Sequence, residues 1–106
     1  MDKVIEKTIN KEKDTEGWTA LHFAAKHNQS EVVKLLVAKG ADVNERNKDG
    51  EVPLHLTETR IIAGLLIQKG ADVNISDFYG TTPLKIAKEQ GHDEVASLLC
   101  EHGAKE

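Results

Sequence analysis

The sequence predicts an all-α solenoid of about three stacked helix-pair units, and three observations carry that prediction. The pentapeptide Gly40-Ala41-Asp42-Val43-Asn44 returns as Gly70-Ala71-Asp72-Val73-Asn74, 30 residues further on. Gly17, Gly50 and Gly80 stand at spacings of 33 and 30, and Leu21, Leu54 and Leu84 keep the same intervals. Gly40, Gly70 and Gly103 give 30 and then 33, so the period is 33 with three residues missing from the middle unit. Self-similarity at such a period marks supersecondary units that cannot bury their apolar faces alone and must stack. The units run 14–46, 47–76 and 77–106, after a polar segment 1–13.

Each unit reads the same way along the chain. Thr19 and Thr82 are N-cap residues, and Pro83 suits a first helical turn, where its missing N–H costs nothing. The first helix follows as Ala20-Leu21-His22-Phe23-Ala24-Ala25 and as Pro83-Leu84-Lys85-Ile86-Ala87-Lys88. It stops at Asn28 and Gly91, residue types that tolerate the left-handed conformation of a helix end. Ser30 and Asp93 then cap a second helix, predicted over 31–39 and 94–102. Val32, Leu35 and Leu36, then Val95, Leu98 and Leu99, recur at helical spacing as its core face. Gly40, Gly70 and Gly103 end these second helices. The stretches 44–50 and 74–80 are polar and turn-rich, the composition of a protruding hairpin. The segment 1–13 reads in two ways. Val4-Ile5 and Thr8-Ile9-Asn10 echo the end of a unit, as in a degenerate capping half repeat, or the segment is a polar tail.

The middle unit departs from its neighbours. Leu54 and Gly70 are 16 positions apart, against 19 in the flanking units, and the deficit falls between Leu56 and Ile62. Three residues are close to one helical turn of about 3.6, so both helices of this unit are expected to be shortened there. A notch beside Glu58, Thr59 and Arg60 is the expected result. Val52 replaces the capping threonine, and Gly64 inside the second helix costs about 1 kcal/mol relative to Ala. The third unit carries Lys85 where the others have His22 and His55, and its second helix is softened by Ser97 and Cys100.

Composition narrows the function classes. The 14 Lys and Arg against 18 Asp and Glu give a net charge of -4, which argues against nucleic acid, whose phosphates need a basic face. No apolar run reaches the roughly 18 residues of a membrane span, and the N-terminus lacks the apolar centre of a signal peptide. A cytoplasmic protein is expected, with a secreted effector as the alternative. One cysteine, Cys100, excludes an intramolecular disulfide framework and a CxxC motif. Aromatic residues are 4% of the chain, so the core is left to Leu, Val, Ile and Ala, with Phe23 the only ring assigned to it. Neither nucleophile-elbow, zinc-protease nor P-loop patterns occur, and the carboxylates are scattered singly. The expectation is a protein without catalysis, metal or cofactor.

The pattern D/N-x-x-G-x-T-P-L-H, then E-V-V-x-L-L and G-A-D-V-N, resembles the ankyrin repeat over about residues 14–106. The resemblance implies a helix pair plus a β-hairpin finger per unit, stacked into a curved solenoid. It implies binding of another protein through finger tips and the exposed face of the first helices, by a monomer. The family's variable positions fall on Thr15, Glu16 and Trp18, on Lys48, Asp49 and Glu51, and on Phe78, Tyr79 and Thr81. On the helices they fall on Lys26 and His27, then Glu89 and Gln90. Trp18, Phe78 and Tyr79 are the expected hot spots, since rings bury large area with few rotatable bonds. Each also has a structural role open to it, packing on the neighbouring finger.

His22 and His55 occupy the histidine of the T-P-L-H motif, where the ring bonds local backbone and hydroxyl groups. Asn44 and Asn74 each follow a leucine eight residues upstream, Leu36 and Leu66, which resembles the context of hydroxylated ankyrin asparagines. A structural amide bonded to its own hairpin accounts for the same residues. The resemblance leaves two function classes: an interaction module with a protein target, or a folded stretch of a longer array with a scaffold role only.

Overall fold

The computed structural model describes residues 13–105 of the chain, so the capping half repeat read over 1–13 lies almost wholly outside the described residues. Among the described residues, five α-helices and one 3-10 helix follow in order: α1 Ala20–Lys26, α2 Ser30–Ala38, the 3-10 helix Pro53–Leu56, α3 Arg60–Gln68, α4 Pro83–Glu89 and α5 Asp93–Glu101. The first helices, α1, the 3-10 helix and α4, pack side by side as an inner layer, and α2, α3 and α5 form an outer one. Stacking in one direction gives extents of 42 × 25 × 20 Å.

The capping residues explain where the inner helices begin. Thr19 has extended backbone at φ -95 and ψ 171, and its hydroxyl accepts from the His22 N–H. Thr82 repeats this for Lys85 at the start of α4, with Pro83 in the first turn. Asn28 ends the α1 turn in the left-handed region at φ 58. The outer helices differ from expectation by one residue. Ser30 and Asp93 are their first helical residues, and Gln29 and His92 hold the cap positions without a side-chain cap bond. The turn that follows Asn28 or Gly91 fixes the helix start through the backbone, as in the bonds Gln29 N–H to Ala24 O and His92 N–H to Ala87 O at 3.0 and 2.8 Å. No serine or aspartate cap is then required.

A continuous aliphatic core runs through the stack, from Leu21 and Val33 through Leu54, Ile62 and Leu66 to Leu84, Val95 and Leu99. Two sequence expectations about it fail. Phe23 is 44% exposed, and Val32 and Leu35 are 40% and 54% exposed. Their counterparts later in the chain show why: Ile62 and Val95 occupy the Val32 position and are 1% and 2% exposed. That position is buried by the preceding unit, and among the described residues the first unit has no helix pair before it.

The three-residue deficit is absorbed by one helix rather than two. The inner helix of the middle unit shrinks to the four-residue 3-10 segment, while α3 keeps nine residues like α2 and α5. Thr57 leaves the segment in extended conformation, its hydroxyl donating to Leu54 O at 3.1 Å. Gly64 sits in α3 with room for a methyl group, since a Cβ there would lie 3.8 Å from Leu98 Cδ2. The expected β-hairpin fingers are tight turns, and no strand occurs among the described residues.

Candidate interaction surface

Each finger is one repeated turn built on a single carboxylate or amide oxygen. Asp14 Oδ1 accepts from the N–H groups of Glu16 and Trp18 at 2.9 and 2.8 Å. Asn47 Oδ1 does the same for Asp49 and Glu51, at 3.0 and 2.9 Å. Asp77 Oδ1 repeats it for Tyr79 and Thr81, both at 2.9 Å. Such local capture by Asp and Asn is the reason these residues favour turns over strands. Two backbone bonds then close each turn, as from Asn47 N–H to Glu51 O at 2.9 Å and from Gly50 N–H to Asn47 O at 3.0 Å.

Neighbouring fingers are joined by one backbone bond apiece, Lys48 N–H to Glu16 O at 3.0 Å and Phe78 N–H to Asp49 O at 2.9 Å. Arg46 reinforces the second junction. Its Nη1 donates to Gly50 O and Ser76 O at 3.2 and 3.0 Å, and its guanidinium carbon lies 5.4 Å from the centre of the Phe78 ring. The Tyr79 hydroxyl donates to Asp49 Oδ1 at 3.2 Å, and that carboxylate holds the phenol above its ordinary pKa. Both rings remain open to solvent, Phe78 at 65% and Tyr79 at 78%.

Behind the fingers, two buried histidines staple the inner layer. His22 Nδ1 accepts from the Thr19 N–H and hydroxyl at 3.0 and 2.8 Å, and Nε2 donates to Glu51 O of the next unit at 2.8 Å. His55 Nδ1 accepts from the Val52 N–H at 3.0 Å, and Nε2 donates to Thr81 O at 3.0 Å. A carbonyl only accepts and a backbone N–H only donates, so Nε2 carries the proton, Nδ1 does not, and both rings are the neutral Nε2–H tautomer. Burial pushes both pKa values below the ordinary histidine value, with the carbonyl bonds opposing it. The expected local bonds are there, and no residue type marks the cross-unit ones.

The outer side has its own staples. Asn44 Nδ2 donates to Gly70 O at 3.1 Å, and its Oδ1 accepts from the Asp72 N–H at 3.0 Å. Asn74 repeats this with Gly103 O and the Lys105 N–H, at 3.2 and 2.8 Å. These amides therefore bridge to the following unit rather than to their own turn.

The arrangement has a counterpart among known families. A family model of ankyrin repeats in three copies matches residues 2–77 and 42–106. The chain belongs to the ankyrin-repeat family. It is 41% identical over 54 residues to human ankyrin repeat domain-containing protein 40, covering 51% of this chain and 15% of that protein. An ankyrin repeat-containing protein of Schizosaccharomyces pombe is 42% identical over 50 residues, covering 47% and 24%. The mouse protein phosphatase 1 regulatory subunit 12A is 54% identical over 39 residues, covering 37% of this chain and 4% of the subunit. The chain thus matches less than a quarter of each of these relatives' lengths. Ankyrin repeats are generally protein–protein interaction modules and generally non-catalytic.

Within that ankyrin frame the candidate residues divide. Thr15, Glu16, Lys48, Asp49, Phe78 and Tyr79 lie exposed on the fingers, and Lys26, His27, Glu89 and Gln90 lie exposed at the ends of α1 and α4. Glu51 and Thr81 are half-buried and committed: their carbonyls take the histidine bonds, and Glu51 Oε1 also accepts from Asn47 Nδ2 at 2.9 Å. Trp18 is half-buried, its ring 5.0 Å from Phe23 and 5.8 Å from His22, so it braces α1. Cys100 is exposed on α5, and no group of three or more His, Cys, Asp or Glu able to hold a metal ion occurs among the described residues.

The expected notch lies one step earlier in the chain than read from the sequence. A cavity of about 150 Å³ opens over the shortened 3-10 helix, floored by His55, Leu56 and Thr57, with Glu58 beside it. Glu51, Lys26 of α1, Ile86 of α4 and Gln90 just after it complete the lining, whereas Thr59 and Arg60 do not take part. Arg60 instead pairs with Glu101 at 3.0 Å on the outer layer. There a feature escaped notice: Ile61, 66% exposed, and Gly64 stand where the other units have Glu31 or Glu94 and Lys34 or Ser97. Aligning the three outer helices would have shown that loss of charge.

Proposed function

We propose that the chain is a non-enzymatic binding module that engages a protein partner through its finger tips and the exposed ends of α1 and α4. The observation that carries this is the pair Phe78 and Tyr79, more than half exposed yet braced by Arg46 and Asp49. Rings held in place before binding contribute apolar area at little cost in conformational entropy. The charged strip of Glu16, Lys48 and Asp49 runs beside them and sets specificity. The test is affinity capture from the source organism read by mass spectrometry, repeated with Phe78→Ala/Tyr79→Ala. That double variant keeps its circular dichroism and binds the captured partner at least about tenfold more weakly, the scale of a hot-spot pair. Unchanged capture would remove the fingers from the site.

A second reading, a stretch of a longer array, is favoured by one detail. A Cβ on Gly17 or Gly50 would meet the next finger, whereas around Gly80 nothing lies within 4 Å, so a further unit would fit. An independent module melts cooperatively as a monomer in sedimentation and calorimetry. A stretch of an array frays from one end or self-associates.

A further inference from the structure

The notch over the shortened helix deepens this reading, on which it rests, because it opens on the inner layer beside the candidate contact residues Lys26 and Gln90. Its volume of about 150 Å³ falls below the roughly 300–1,000 Å³ of small-molecule pockets. That is room for one side chain of a partner. The chemistry around it is uneven. Its charged lining residues are Glu51, Glu58 and Lys26, two acidic against one basic, and Leu56, Ile86 and Gln90 line it beside them. His55 adds no charge there, with both ring nitrogens already bonded.

We propose that this notch is a subsite for an arginine side chain presented by the protein partner. The aliphatic stem lies on Leu56 and Ile86, and the guanidinium reaches the carboxylates. The acceptors are not used up. Glu51 gives Oε1 to Asn47, which leaves its second oxygen, and Glu58 stands 3.9 Å from His92 Nε2, beyond hydrogen-bond length. A planar fork of five donors meets carboxylates from more than one direction, which the compact lysine ammonium does not. The subsite exists because of the deletion. In the flanking units the inner helix runs seven residues, and here it stops after four.

The experiment is an amide-resolved NMR titration with N-acetyl-arginine amide, with N-acetyl-lysine amide and N-acetyl-norleucine amide as comparisons. The arginine probe gives saturable shifts confined to residues 51–58 and 86–90. Glu58→Gln weakens its binding about threefold, and Lys26→Ala strengthens it by a similar factor, the scale of one exposed charge contact. Both side chains are exposed, so neither variant threatens the fold. The proposal is overturned by absent or scattered shifts, by equal binding of the lysine or norleucine probe, or by indifference to Glu58→Gln. The probe never touches Phe78 or Tyr79, so its failure leaves the finger reading standing, and failure of the fingers leaves this result standing.

Discussion

The outer helices α2, α3 and α5 are all nine residues long, whereas the inner ones run seven, four and seven. Both layers face the same deletion in the middle unit, and only the inner one yields. The outer layer has the stricter task. Val33 and Leu36, Ile62 and Leu66, and Val95 and Leu99 put each of its helices in the buried core, so losing a turn there would expose that core. The inner layer is held differently, by His22 and His55 reaching across units and by the fingers, none of which depends on a full helix. Removing a turn of α-helix costs the inner layer little as long as those side-chain and finger junctions stay intact.

The largest effect should come from breaking a finger junction. Gly50 has φ 79, and a Cβ there would sit 2.7 Å from the Phe78 backbone nitrogen and 2.6 Å from its ring. Gly50→Ala therefore adds a clash to the left-handed strain, and a loss of about 3 kcal/mol is expected by chemical denaturation. Gly80→Ala has φ 82 and open space around it, so strain alone remains, about 1 kcal/mol. Equal losses would mean that finger contact contributes nothing to the inner layer.

Acid attacks the histidine staples next. Both rings are neutral in the fold with lowered pKa values, so the unfolded chain binds the extra protons. Stability is then present above the unfolded value of about 6.5 and lost as pH falls below it, by at most about 1.4 kcal/mol per pH unit for each ring. Protonating Nδ1 also sets its new N–H against the N–H of Thr19 or Val52. Denaturation midpoints measured from pH 7.5 to 5 should fall in that window, and His55→Gln should show about half the slope. A flat profile would place the inner layer's cohesion elsewhere. For the outer layer, Asn44→Ala removes two cross-unit bonds at once and should cost about 1–2 kcal/mol. Asn74→Ala should cost the same or less, because Asn74 is itself exposed where Asn44 is half-buried.

Much of this is legible in the residues alone. Repeat anchors fixed the period, the helix pairs and the stacking, because glycines at turns and leucines at core positions admit few substitutes. What escaped notice depends on neighbours in space. Val32 and Leu35 have the same helical spacing as buried Val95 and Leu98, and only the missing helix pair on one side exposes them. Asn44 and His22 each looked local, since nothing in sequence marks Gly70 or Glu51 as a partner. The finger residues share one repeated turn, yet Glu51 and Thr81 serve the stack through their carbonyls. Backbone roles of that kind leave no trace in residue type.

The smallest effect sharpens the comparison most. The first unit gives His22 Nδ1 two donors, the Thr19 N–H and hydroxyl, and the second gives His55 Nδ1 only the Val52 N–H. Val52 is fully buried, in the same extended backbone as Thr19. Burying a threonine hydroxyl ordinarily costs stability. Here the acceptor is already in place, held by the bond from His55 to Thr81, so Val52→Thr should instead gain about 0.5–1 kcal/mol. The gain should vanish in a His55→Gln background, which a double-mutant cycle reads directly. A gain that survives without His55 would mean that threonine acts as a helix cap alone. The 3-10 segment would then be limited by helix initiation, and the contrast between the layers would rest on propensity rather than on the histidine staples.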